Sequence, residues 1–75
     1  MITPEERKRM LQIPMASQRM ISALEKVGVS KLEDLRGKDV KGLMQQINDA
    51  FGHREMHGPL NEMALHNLIG AAENR

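Results

Sequence analysis

The chain has 75 residues, 40% of them hydrophobic and 28% charged, with a net charge of +1; this length allows one small domain and no second core. It has no cysteine and one aromatic residue, Phe51, which excludes disulfides and thiolate metal sites and leaves an aliphatic core. No apolar run approaches membrane-spanning length and MITPEERKRM has no apolar signal core, so a soluble cytoplasmic protein with no membrane contact is expected.

Thr3-Pro4-Glu5-Glu6 opens the first predicted helix: Thr3 can cap, proline suits the first helical position, and Glu6 completes a capping box. That helix runs to about Leu11, and Pro14 prevents its continuation by biasing Ile13 to extended geometry. Ser17 is the next cap, followed by Met20, Ile21, Leu24 and Val27 on one helical face. Gly28 can take the left-handed terminal position, with Val29 packing back. Ser30-Lys31-Leu32-Glu33 reads as a further capping box, opening a short helix with Leu32 and Leu35 inside and Gly37 at its end. Asp39 caps a longer helix carrying Val40, Leu43, Met44, Ile47 and Phe51. Gly42 within it costs about 1 kcal/mol relative to Ala, and a close helix–helix contact would account for it. Gly52 stops that helix, residues 53–59 form a loop, and a last helix spans about Leu60–Glu73 with Leu65, Leu68, Ile69 and Ala72 on its stripe.

The expected fold is therefore all-α, with five short helices in a single domain, residues 1–75. It divides into an N-terminal helix (1–10), a hairpin unit (11–39) and two C-terminal helices (40–75). Among the seven methionines, Met20 and Met44 lie on apolar stripes and are expected in the core. Met10, Met15, Met56 and Met63 are less constrained and free to be at the surface, where a cluster would mark an interface.

Charge is unevenly placed. Residues 1–41 hold nine Lys/Arg against six Asp/Glu, a net +3, and residues 42–75 hold two against four, a net −2. The front half can face an anionic partner, although this is a modest field for a phosphate-binding domain.

The stretch LQIPMASQRMISALEKVGVSKLEDLRGKD, residues 11–39, resembles a helix-hairpin-helix unit, in which I-P-G-V-G-P-K-T is followed by A-x-x-L-x-x-x-G-I-x-T-x-x-D-L. Ile13 and Pro14 match the opening; Leu24, Gly28, Val29, Ser30, Asp34 and Leu35 match the continuation. Over residues 11–72 the chain is similar to small bacterial helix-hairpin-helix proteins of the pathogenicity-locus or mitomycin-resistance type. Its first half is also similar to the C-terminal domain of the competence regulator TfoX. The resemblance implies a sterile-alpha-motif-like bundle and a role in non-specific DNA binding or in protein association near DNA metabolism. It departs at the turn: where the family has two glycines that admit a phosphate, this chain has Met15 and Ser17, and Gln18 replaces a frequent proline. Arg19 stands where a basic residue commonly contacts phosphate.

The nucleic-acid candidates are thus Met15, Ser17, Gln18 and Arg19 at the turn, aided by Arg7, Lys8 and Arg9 on the first helix and Lys26 on the second. Each has a plainer alternative: Ser17 as a cap only, the basic run as a solvated face. A second basic cluster, Lys31, Arg36, Lys38 and Lys41, is interleaved with acids. His53 and His57 are four apart, but the intervening Glu is at the wrong offset for a metalloprotease. They read as exposed loop histidines, and neither a metal nor any other cofactor is expected. No G-x-x-x-x-G-K nucleotide loop, no Cys nucleophile and no Ser–His–Asp order with supporting context is present, and so short a chain encloses a substrate pocket with difficulty. A non-enzymatic binding domain follows, its partner either DNA or an unidentified protein that contacts exposed methionines over a degenerate hairpin, with no small-molecule substrate.

Overall fold

A computed structural model of the chain describes residues 1–74; Arg75, the end of the predicted C-terminal unit, lies outside the described residues. The architecture is all-α: α1 (Pro4–Leu11), α2 (Gln18–Lys26), α3 (Val40–Phe51) and α4 (Pro59–Glu73), with one 3-10 turn, Leu32–Leu35, between α2 and α3. No strand occurs among the described residues. Five helices were expected; four α-helices and this 3-10 turn are found among the described residues. Only six residues lie between Ser30 and Gly37, the signals that flank it, too few to offset the cost of nucleating an α-helix. Its start is also capped differently from the expectation. The Asp34 carboxylate, not Glu33, reaches back to accept the N–H groups of Ser30 and Lys31, at 2.9 and 3.2 Å.

The α-helix ends follow local chemistry. Thr3 Oγ1 accepts the Glu6 N–H at 3.2 Å, Ser17 Oγ accepts that of Met20 at 3.2 Å, and Asp39 Oδ2 accepts that of Gly42 at 2.9 Å. α2 closes with two reverse bonds, Gly28 N–H to Glu25 O and Val29 N–H to Leu24 O, both 3.1 Å. Gly28 takes a φ of 95° there, which a side chain would resist, and Val29 is buried against the core.

α4 is the hub. It packs most extensively on the 3-10 turn and next on α3, while α2 joins α1 to α3. Leu65, Leu68, Ile69 and Ala72 of α4 enter one core with Ile21 and Leu24 of α2, Leu32 and Leu35 of the turn, and Leu43 and Ile47 of α3. The N-terminal segment joins this core. Met10 is 0% exposed, contrary to the freedom expected of it, and Ile2 is buried. The Ile2 N–H donates to Glu25 Oε2 at 2.8 Å, and Glu6 Oε1 accepts the Leu32 N–H at 3.0 Å. The radius of gyration is 11.0 Å, matching the roughly 11 Å expected of a compact chain of this length.

Two further expectations are corrected. Met44 is half-buried at the edge of the core rather than inside it, because Leu43 and Ile47 point most directly inward. Gly42 makes no close helix contact: a Cβ there would meet only Asp39, with Oδ2 at 3.5 Å. It lies exposed in the first turn of α3. Gly70, inside α4, also faces open space. Gly42→Ala and Gly70→Ala should therefore each raise stability by about 0.5–1 kcal/mol, read as a higher thermal midpoint in calorimetry.

Candidate nucleic-acid interface

Ile13-Pro14-Met15-Ala16 forms a turn closed by the Ala16 N–H on Ile13 O at 3.1 Å. Proline at its second position and a positive φ at its third are the marks of a type II turn. Met15 supplies that positive φ, 72°, and among the described residues it is the only non-glycine that does so. The backbone thus takes a glycine-like conformation without a glycine. The Pro14 carbonyl is held from behind by Asn67 Nδ2 of α4, at 3.0 Å, and Met15 is 44% exposed. A left-handed non-glycine residue costs about 1–2 kcal/mol, partly offset by the extra unfolded-state freedom of glycine. Met15→Gly should accordingly stabilise the domain by about 0.5–1 kcal/mol, measured as a shift in urea midpoint at unchanged slope.

The turn delivers the chain to the N-terminus of α2. Ser17 Oγ is spent on the cap, but its hydroxyl proton remains a donor. The N–H groups of Ser17, Gln18 and Arg19 have no acceptor among the described residues, as the geometry of a helix start dictates. Arg7 is brought alongside: its guanidinium donates to Gln18 Oε1 at 3.0 Å and lies 3.5 Å from Glu25 Oε1. Five of the eight predicted residues, Met15, Ser17, Gln18, Arg19 and Arg7, therefore lie at or against this turn and the start of α2.

The other three do not join them in the same way. Lys8 is exposed on α1, with no ion pair among the described residues. Arg9 pairs with Glu6 at 2.6 Å and lines a shallow cleft with Leu32 and Ala71. Lys26 sits at the far end of α2, roughly 12 Å along the helix from Gln18, with Nζ 4.6 Å from the centre of the Phe51 ring.

Arg19 is engaged by residues that the sequence did not single out as functional. Its Nε donates to Glu55 Oε2 at 2.7 Å, and His53 Nε2 lies 3.0 Å from Glu55 Oε1. One carboxylate thus bridges an arginine and a histidine. The side chain of Arg19 is otherwise open to solvent, while that of Glu55 is largely covered. The 53–58 loop that carries Glu55 is fixed by Asn48 of α3, whose amide accepts the Met56 N–H at 2.7 Å and donates to Met56 O at 3.0 Å. Met56 itself is 3% exposed and plugs the core, again contrary to the surface freedom expected of it. A cleft of about 240 Å³ remains between loop and hairpin, lined by Ser17, Arg19, His53, Arg54, Glu55 and His57 among others.

The hydrogen bond from Arg19, then that from His53, holds the Glu55 carboxyl below its ordinary range, and the same contact with Glu55 raises Arg19 above its own. A depressed carboxyl contributes stability that is present above its unfolded-state value and lost as pH falls through its folded-state value. The stability difference between wild type and Glu55→Gln should therefore be present at neutral pH and vanish in acid, in paired urea titrations across the carboxylate range.

His53, His57 and His66 are all exposed, and no group of three or more metal-ligating side chains converges among the described residues. No helix among them is long and apolar enough to cross a membrane. No family model matches the chain, and neither the curated proteins nor the solved structures contain a significant match.

Proposed function

We propose that this chain is a non-catalytic, cytoplasmic binding domain of the helix-hairpin-helix kind. In a sterile-alpha-motif-like arrangement, the 3-10 turn takes the place of the middle helix. Its hairpin contacts the phosphate backbone of nucleic acid without reading sequence. The observation that carries this is the left-handed Met15 within a type II turn: a conformation suited to glycine is held, against the preference of the side chain, at a position where the family this chain resembles has a glycine. Behind that turn stand the donors a phosphate needs. The Ser17, Gln18 and Arg19 N–H groups sit at the positive end of α2, and the side chains of Arg19 and Arg7 supply charge. Few cations are involved, so binding is weak, within the roughly 10⁻⁴–10⁻⁶ M typical of non-specific contact.

The test is an anisotropy titration of labelled duplex and single-stranded DNA at two salt concentrations. Affinity should fall with salt, with two or three phosphate contacts giving a logarithmic slope of about −2 to −3. Arg19→Ala should weaken all sequences alike and reduce that slope by about 1. Absence of salt-sensitive binding at low ionic strength would refute this function. Leu60 and Met63, both exposed one turn apart on α4, favour a second reading as a protein-interaction module. Binding to its partner would then tolerate salt and fail when Met63 is made charged.

A further inference from the structure

We propose that Glu55 is an intramolecular anion that takes a phosphate's part as the partner of Arg19, so that the 53–58 loop holds this arginine closed to an incoming phosphate. This deepens the nucleic-acid reading and rests on it. The Glu55 carboxylate is seated as a bound anion would be, one oxygen on Arg19 Nε at 2.7 Å and the other 3.0 Å from His53 Nε2. Arg19 supplies a full positive charge from the first turn of α2 itself, beside that of Arg7 on Gln18. While Glu55 holds it, that charge is neutralised, and a like charge faces any incoming phosphate. The loop presents the opposite character once Glu55 is displaced. Arg54, His53 and His57 line the same cleft as Ser17 and Arg19. Exchange of the carboxylate for a phosphate would leave the phosphate among Arg19, Arg54 and the N–H groups that open α2. The hinge is short, because Asn48 clamps Met56 from both its N–H and its carbonyl. Glu55 can therefore swing out while the loop stays anchored at the next residue.

The experiment compares wild type with Glu55→Gln, Glu55→Gln/Arg19→Ala and Glu73→Gln. The last removes an equal charge from the exposed end of α4. Two probes are used: inorganic phosphate, followed through the backbone amide resonances of Gln18 and Arg19, and a labelled DNA duplex, followed by anisotropy. A latch closed about nine-tenths of the time reduces apparent affinity about tenfold. Glu55→Gln should therefore bind the duplex about tenfold tighter than wild type, the added Arg19→Ala should cancel the gain, and Glu73→Gln should change affinity less than about twofold. Phosphate should shift the Gln18 and Arg19 amides further in Glu55→Gln than in wild type. The latch is overturned if Glu55→Gln gains no more than Glu73→Gln, or if its gain survives Arg19→Ala. Wild-type duplex binding that is lost in Arg19→Ala but unchanged in Glu55→Gln would leave the hairpin function standing and remove the latch. Phosphate shifts confined to Glu55→Gln, with no duplex bound by any variant, would keep the anion site and remove nucleic acid as its ligand.

Discussion

Truncation of Leu35 to alanine is expected to destabilise the domain by about 2–5 kcal/mol, the range for a buried leucine that leaves a cavity behind. Leu35 is 0% exposed and belongs to the 3-10 turn, the element on which α4 packs most extensively. A 3-10 turn has little intrinsic stability, so its apolar side chains and not its backbone hold it in place. A domain of this size has a total stability near the low end of about 5–15 kcal/mol. The substitution should thus lower the thermal midpoint by about 10–30 °C and leave a fraction unfolded at 37 °C. The control is Leu60→Ala. Leu60 is 70% exposed, and the same chemical change there should stay within about 0.5 kcal/mol. Equal losses at both positions would contradict the placement of the core.

Met56→Ala should cost about 2–4 kcal/mol. Here stability and the candidate site are coupled. Met56 fills a place in the core from within a loop, and Asn48 satisfies both of its backbone polar groups. Removal of the side chain leaves the two hydrogen bonds as the main attachment of the 53–58 loop. Glu55 is the adjacent residue, so its pairing with Arg19 should loosen with it. Urea unfolding would read the lost stability, and amide hydrogen exchange at Met56 would read the freed loop. A Met56→Ala protein as stable as wild type, with a protected Met56 amide, would show that the loop is not anchored in this way.

These contacts explain which parts of the molecule were legible in the sequence. α2 was, because its signals are local: Ser17 caps one end, Gly28 and Val29 close the other, and the Met20–Ile21–Leu24 face lies between. The starts of α1 and α3 were legible for the same reason, through Thr3 and Asp39. Met10 and Met56 were not. Each is an isolated apolar residue among polar neighbours, and burial of such a residue is decided by what folds over it. The third helix was overstated, because a cap and two leucines mark a helical start without setting its length. Gly42 was given a packing role that the open space around it does not support. At the site, the left-handed conformation of Met15 was not legible, because a methionine carries no local signal for a positive φ as a glycine does. The partner of Arg19 was hidden: Glu55 lies 36 residues away, and Asn67, which holds the turn at Pro14, lies 53 residues away. Periodicity carries no information about pairs so far apart.

The measurement that tests hairpin binding most directly is a titration of isotope-labelled protein with a short DNA duplex at low salt, followed residue by residue through backbone amide shifts. Binding at the hairpin predicts the largest changes at Met15, Ser17, Gln18 and Arg19, with smaller ones at Arg7 and Arg54, all reversed by added salt. Changes centred on Leu60 and Met63, or none at any residue, would contradict it.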